Sequence, residues 1–199
     1  MPAFSGYLES LTKELMKLPG MGHKSASRIA FHVLSMDSGD VRRLADSLVA
    51  LKENVRECAV CGGISDGDIC PVCADPARDK SVICVVEKQK DALTIEKTGA
   101  FKGLYHVLGG VISPLDGVSP DDLSFEKLLS RCKEGGVRKI LTALNPTIEG
   151  DATVLYCAQI LRPLDIKVLR IARGLPVGAD IDYTDSATIA RSISDSVEV

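Results

Sequence analysis

The chain contains no tryptophan, and aromatic residues make up 4% of its 199 positions. Proteins that hold single strands without sequence preference stack bases on aromatic side chains, so the composition argues against a stacking platform and any grip on nucleic acid is expected to fall on the backbone. No apolar run approaches the roughly 18 residues needed to cross a bilayer. The opening residues, MPAFSGYLES, lack the basic and apolar regions of a signal peptide, so a cytoplasmic protein without membrane contact is expected. No strong charge of either sign is present: the net charge is −3, which gives no global attraction to nucleic acid. Internal repeats and low-complexity segments are also absent. What remains, 45% hydrophobic and 26% charged, suits one large ordered domain or two or three small ones.

Cysteine is plentiful by contrast. There are seven, and four of them fall in CAVCGGISDGDICPVC, residues 58 to 73. An odd count with such crowding does not suit a secreted disulfide framework. Each CxxC pair places two thiolates on one ion, and the glycine-rich loop between them brings the pairs together as a tetrahedron. Cys58, Cys61, Cys70 and Cys73 are therefore the expected ligands of one structural zinc ion. An iron–sulfur cluster is the next reading, and redox dithiols the third. Cys84, Cys132 and Cys157 sit in apolar patterns and are expected to pack as small core residues.

Along the chain, residues 5 to 57 carry helical periodicity, with Leu8, Leu11, Leu15 and Leu18 on one face and Ile29, Ala30, Val33 and Leu34 on another. SMDSGD breaks the pattern before a third helix bearing Val41, Leu44, Ala45, Leu48 and Leu51. From Ser81 the pattern changes. VICVVE is a β-branched run without alternation, as in a strand buried on both faces. It is followed by a helix from about Asp91 to Thr98, LYHVLGG, a helix from about Ser119 to Lys133, RKILTALN, a helix from about Gly150 to Leu161, and IKVLRIA. Ser119 and Pro120 suit a helix start, and Gly135 and Gly136 a helix end. Alternating strands and helices predict an α/β fold, a mainly parallel sheet with helices on both faces. The terminal SISDSVEV is expected to be a polar helix end or tail.

In LMKLPGMGHKSASRIAFHVL, Pro19, Gly20 and Gly22 stand between two helices. Two glycines let the backbone turn tightly and approach another surface, and the second helix offers unpaired N–H groups to an anion. Residues 15 to 36 contain Lys17, Lys24 and Arg28 and no acid. This stretch resembles a helix-hairpin-helix motif, which binds the DNA backbone without sequence preference. Lys17, Gly20, Gly22, Lys24 and Arg28 are its candidate DNA contacts. The alternative is an ordinary packing corner with solvated basic residues. GHKS is similar to part of a P-loop, but the leading glycine of GxxxxGK[ST] is missing, so ATP is not expected.

Glu87 ends VICVVE, and LNPTIEGD ends the later strand. In an open parallel sheet both would reach the ligand-binding edge. These residues resemble a Toprim domain, the metal-binding fold of topoisomerases and bacterial primases, with its strand-end glutamate followed by DxD and often EG. On that pattern Glu87 is the glutamate, Glu149 and Gly150 are the EG pair, and Asn145 and Thr147 occupy the two aspartate positions. Magnesium prefers carboxylates, so a catalytic magnesium is not expected. Glu87, Glu149 and Asp151 remain as an acidic site facing a partner or DNA; helix capping by acids is the alternative.

The linked order of hairpin, four-cysteine knuckle and Toprim-like domain resembles the bacterial recombination mediator family RecR, almost end to end. The stretches that carry it are LPGMGHKSASRIAFHVL, CPVCADPARDKSVICVVE, IEKTGAFKGLYHVLGGVISPLDG, NPTIEGDAT and GLPVGADIDYTD. KQKDAL after Glu87 departs from the family, which commonly has a Gly-Pro pair there, so the local turn is not carried over. The resemblance implies a hairpin region at 1–56, a zinc finger at 57–77, a Toprim domain at 78–176 and an oligomerisation region at 177–199. It also implies a nonenzymatic protein acting with RecO, and with RecF in many bacteria, to load RecA on single-stranded or gapped DNA. Dimers or ring-like tetramers, and association with the nucleoid during repair, follow from the same likeness. A magnesium-dependent Toprim nuclease or nucleotidyl transferase is the alternative enzyme reading, and a scaffold that binds only protein is the third.

Overall fold

The computed structural model describes residues 6–196, which form two compact units divided after Val55. The first unit is helical: α1 spans Gly6–Leu15, α2 spans His23–Ser35 and α3 spans Ser38–Asn54. Its buried positions are Thr12, Ala26 and Ala30. The expected break SMDSGD shrinks to Met36 and Asp37, because the Asp37 side chain accepts the Gly39 N–H at 2.8 Å and caps α3 one residue later. The apolar faces predicted by periodicity are covered only in part: Ala30 is buried and Leu8, Leu11, Leu15 and Val33 are half-buried, but Ile29, Leu34, Leu44, Leu48 and Leu51 are exposed, and α3 buries none of its residues. Three short helices have too little volume to enclose them.

The second unit begins with a knuckle, in which the two-residue strands β1 (Arg56–Glu57) and β2 (Ile64–Ser65) pair antiparallel before the one-turn helix α4 (Pro71–Ala74). The sheet follows. Its strands are β3 (Asp79–Val86), β4 (Gly103–Val107), β5 (Lys139–Ala143) and β6 (Lys167–Arg170), in the order β4-β3-β5-β6 and parallel throughout. The connecting helices are α5 (Gln89–Lys97), α6 (Phe125–Lys133) and α7 (Ile148–Leu161); α8 (Ser186–Ser194) closes the described chain. The tail end of SISDSVEV, and the residue at which the first predicted helix was to begin, lie outside the described residues.

Both sheet faces are covered, and successive residues serve opposite cores. Ile83, Val85, Leu104 and Ile140 pack with Leu128 of α6 and Cys157 of α7, while Cys84, Val86, Tyr105 and Val107 pack with Ala92 of α5. The period-two alternation of strand side chains sets this division. Full burial of Leu128 or Ile140 is worth about 1.5–3 kcal/mol each. Cys84, Cys132 and Cys157 are buried, as their apolar settings predict, and burial pushes the Cys84 and Cys157 thiols up to about 12.

The helix expected from Ser119 is interrupted. Ser119 and Asp122 form a capping box, but around a single 3-10 turn, Pro120–Asp122. Leu123 then turns extended to enter the core, and α6 starts only at Phe125. Gly135 and Gly136 follow α6 at φ +91° and +89°, a conformation that suits glycine at a helix end.

Candidate nucleic-acid interface and acidic sheet edge

Three sites are built by these elements. The first is the hairpin between α1 and α2. Met21 N–H donates to the Leu18 carbonyl at 3.1 Å, closing a turn with Pro19 at its second position and Gly20 at its third. Gly20 has φ +76°, the left-handed value that a type II turn requires there. Gly22 precedes α2 without a side-chain cap, the first turn of the helix holds no acid, and space beside both glycines is open. Lys24 and Arg28 are exposed and make no ion pair among the described residues, whereas Lys17 is tied to Glu14 at 2.6 Å. The helix end thus presents N–H groups and two free cations to one region of solvent.

In the knuckle, the four Sγ atoms of Cys58, Cys61, Cys70 and Cys73 all lie within 4.8 Å of one another, and Cys61 and Cys70 are 3.7 Å apart. Thiolates at about 2.3 Å from a tetrahedral zinc ion would be about 3.8 Å apart, so the donor set fits that ion. Cys58 Sγ accepts the Cys70 N–H at 3.3 Å, Cys61 Sγ that of Gly63 at 3.4 Å, and Cys70 Sγ that of Cys73 at 3.4 Å. Such bonds favour thiolate sulfur. The hydrogen bond from Cys73, with those of the Gly63 backbone and the other two thiols, draws the Cys61 thiol down despite its burial.

At the carboxyl edge of the sheet, the connections leaving β3 and β5 run to opposite sides, which makes the crevice between these neighbours the topological switch point. Glu87 lies at the end of β3 and Asn145 just beyond β5, and the structure brings them together. Asn145 Nδ2 donates to Glu87 Oε2 at 2.9 Å, and Lys88 Nζ lies 3.0 Å from Glu87 Oε1. Burial works to raise the Glu87 carboxyl, but the bonds from Lys88 and Asn145 outweigh it and hold the group below the usual carboxylate range. Thr147 is the N-cap of α7, its Oγ1 accepting the Gly150 N–H at 3.0 Å. Gly150 has no room for a side chain, since a Cβ there would run into the Asn145 carbonyl oxygen. The two neutral residues at the aspartate positions therefore have work of their own: one satisfies Glu87 and the other starts a helix.

The expected acidic trio does not assemble. Helix α7 begins at Ile148, two residues earlier than predicted, so Glu149 and Asp151 fall in its first turn. Asp151 is engaged elsewhere, pairing with Arg170 at 3.1 Å and with both terminal nitrogens of Arg173. The Arg173 hydrogen bonds hold its carboxyl below the ordinary range. Among the described residues, the only group of three or more metal-ligating side chains within reach of one ion is the four cysteines. Glu87, Glu149 and Asp151 do not converge on a common ion, in keeping with the loss of the two aspartates from the pattern. Beside Arg173 a cavity of about 460 Å³ opens between Leu144, Pro146 and Ile171 at the strand ends and Thr188 and Arg191 of α8.

Comparison with known proteins covers the whole of this architecture. Family models match residues 8–52 as the helix-hairpin-helix of RecR, 55–75 as the RecR zinc finger domain of four cysteines, 81–172 as a Toprim domain and 174–195 as the RecR C-terminal region. The chain is 50% identical to Recombination protein RecR of Acidothermus cellulolyticus over 190 residues, 96% of each chain. It belongs to the RecR family. Proteins of the same name from Thermobifida fusca, 51% identical over 189 residues, and Chlorobaculum parvum, 52% identical over 194, are each covered to 95%, as is this chain.

Within this member of the family, sequence reasoning missed Lys88, Arg170 and Arg173. Lys88 belongs to KQKDAL, the stretch set apart by its departure from the family pattern. The two arginines lie 19 and 22 residues from Asp151, and no short-range spacing links them.

Proposed function

We propose that this protein is a DNA-binding mediator of recombination and repair that acts without catalysis of its own. On this reading it works with RecO, and with RecF where present, to promote RecA loading on single-stranded or gapped DNA. The observation that carries it is the open end of α2, where an uncapped, acid-free helix start stands beside the unpaired Lys24 and Arg28. Gly20 and Gly22 let a phosphate backbone come close, and Lys17 joins them at the rim by exchanging Glu14 for phosphate. Such contacts grip phosphate rather than bases, so binding is expected to ignore sequence and to weaken steeply with salt.

The absence of chemistry is supported by the pairing of Glu87 with Asn145 and Lys88, which leaves this carboxylate committed to protein groups. Cys58, Cys61, Cys70 and Cys73 would hold one zinc ion, which closes the knuckle and supplies fold rather than reaction. The uncovered leucines of α3 support assembly of several copies. A dimer or ring lets several small basic patches act on one backbone, which offsets the weak net charge.

The test uses labelled gapped DNA with magnesium, the wild type and the Lys24→Glu, Arg28→Glu double variant, scoring both complex and DNA length. Wild type is expected to shift the DNA and leave it intact, and the double variant to lose at least tenfold in affinity. Cutting or extension of the DNA would move the reading to a Toprim enzyme. Unchanged affinity in the variant would leave a scaffold that binds only protein.

A further inference from the structure

The stretch KQKDAL stands where the knuckle meets the acidic edge, and Gln89, its second residue, bonds to the knuckle. It is the first residue of α5, directly after the Glu87–Lys88 pair. Its carboxamide oxygen accepts the N–H of Ile64, in the knuckle's second strand, at 3.1 Å. Gly63 makes room for the contact, because a Cβ there would collide with Gln89 Oε1 and lie 3.3 Å from Cys61 Sγ. A second link runs through backbone alone. Val107 N–H donates to the Cys61 carbonyl at 2.8 Å, and two residues later Gly109 N–H donates to the Glu87 carbonyl at 3.0 Å. The cysteine loop is thus bonded to both chain segments that bracket Glu87.

We infer that Gln89 couples the knuckle to the Glu87 turn, so that metal in the knuckle fixes the geometry of the sheet's acidic edge. The inference rests on the zinc reading above. Between Cys58 and Cys73 the chain has only the two-residue strand β2, paired to β1, and the single turn α4 as regular structure, so an ion joining four thiolates supplies most of the loop's order. When that order is lost, Ile64 N–H and the Cys61 carbonyl are no longer held in place. The first turn of α5 then loses an anchor outside its own helix, and the Lys88 ammonium loses the fixed backbone that aims it at Glu87. Gln89 is a positioning residue in this scheme, acting on Lys88 and Glu87 without contact to any ligand.

Hydrogen exchange on the full-length protein, read by mass spectrometry alongside zinc content, tests the coupling. The samples are zinc-loaded wild type, chelator-treated wild type, Gln89→Ala and Gln89→Glu. The inference expects one zinc per chain in wild type and in both variants. Exchange at residues 87–93 should rise about fivefold in Gln89→Ala, the effect of losing one ordinary hydrogen bond. It should rise at least as far on zinc removal, while residues 139–143 in β5 stay unchanged. Gln89→Glu keeps an acceptor oxygen and should restore most of the protection. If Gln89→Ala keeps its zinc and residues 87–93 exchange as in wild type, the coupling is refuted and the zinc reading stands. Wild type that carries no zinc refutes both.

Discussion

The sharpest test of the acidic edge is Asn145→Asp, which restores a carboxylate at one aspartate position of the Toprim pattern. Asn145 now donates to Glu87 at 2.9 Å, and the Glu87 side chain is only 12% exposed. The change removes a hydrogen bond to a charged group, worth about 1.5–3 kcal/mol, and substitutes a like charge. Two carboxylates about 4 Å apart at an effective dielectric near 20 repel by about 4 kcal/mol, an upper bound because the introduced carboxylate can rotate toward solvent. A net loss of about 2–3 kcal/mol at pH 7 is expected. In the wild type the Glu87 carboxyl is depressed, so its contribution is present above the unfolded carboxylate range and fades only as pH falls through the lower folded value. In the variant the close pair raises one carboxyl instead, so the penalty is full at neutral pH and shrinks as pH falls toward 5 and one proton is shared. Urea unfolding from pH 5 to 8, with and without millimolar magnesium, reads both effects, with Asn145→Ala as the control for the lost hydrogen bond alone. Magnesium should recover part of the loss in Asn145→Asp and none in wild type. Equal stability of the Asp and Ala variants across this range, with no response to magnesium, would refute the account of Asn145 as a neutral replacement for a metal-binding acid.

Two further perturbations probe the rest of the second unit. Asp151→Asn should weaken the hold of Arg170 and Arg173 on α7; Asp151 is 40% exposed, so the cost is expected to be about 1 kcal/mol, with faster hydrogen exchange concentrated in residues 174–195. His106 is fully buried, and desolvation, aided by Arg131 and Lys127, pushes its pKa down to about 4 while the bond to Ser124 opposes this. Its unfolded form binds a proton near pH 6.5, so stability should fall as pH drops from about 6.5 to 4, by at most about 3 kcal/mol. His106→Gln can still donate to the Ser124 carbonyl and accept from Arg131, and should flatten that part of the urea-unfolding profile; an unchanged profile would assign the acid sensitivity to other groups.

Much of the fold could be read from local pattern because local pattern caused it. VICVVE became a strand buried on both faces because β-branched residues fit the pleat and apolar side chains were available for both cores. The cysteine spacing predicted a four-sulfur cluster because short loops allow few other arrangements. Where prediction fell short, the deciding partner was distant in sequence or absent from the unit. Helical periodicity located α3 but said nothing of whether Leu44 and Leu48 would be covered, and among the described residues they are not. The capping signal at Ser119 was read correctly as a cap, yet the helix beyond it was displaced to Phe125 because Leu123 entered the core.

The acidic edge shows why composition alone misjudges a site. Counting carboxylates leaves Glu87, Glu149 and Asp151 as one acidic site at the sheet edge, and their spacing is compatible with that reading. The structure distributes them differently: Glu87 is satisfied by Asn145 and Lys88, and Asp151 is drawn away by two arginines. Both of these acids have acquired a protein cation, and a divalent ion at Glu87 would have to displace an ammonium 3.0 Å away and an amide donor before gaining one ligand. Magnesium sheds its water reluctantly, and a single carboxylate does not compensate for that. A fold that elsewhere concentrates negative charge for a metal is here close to neutral at its switch point.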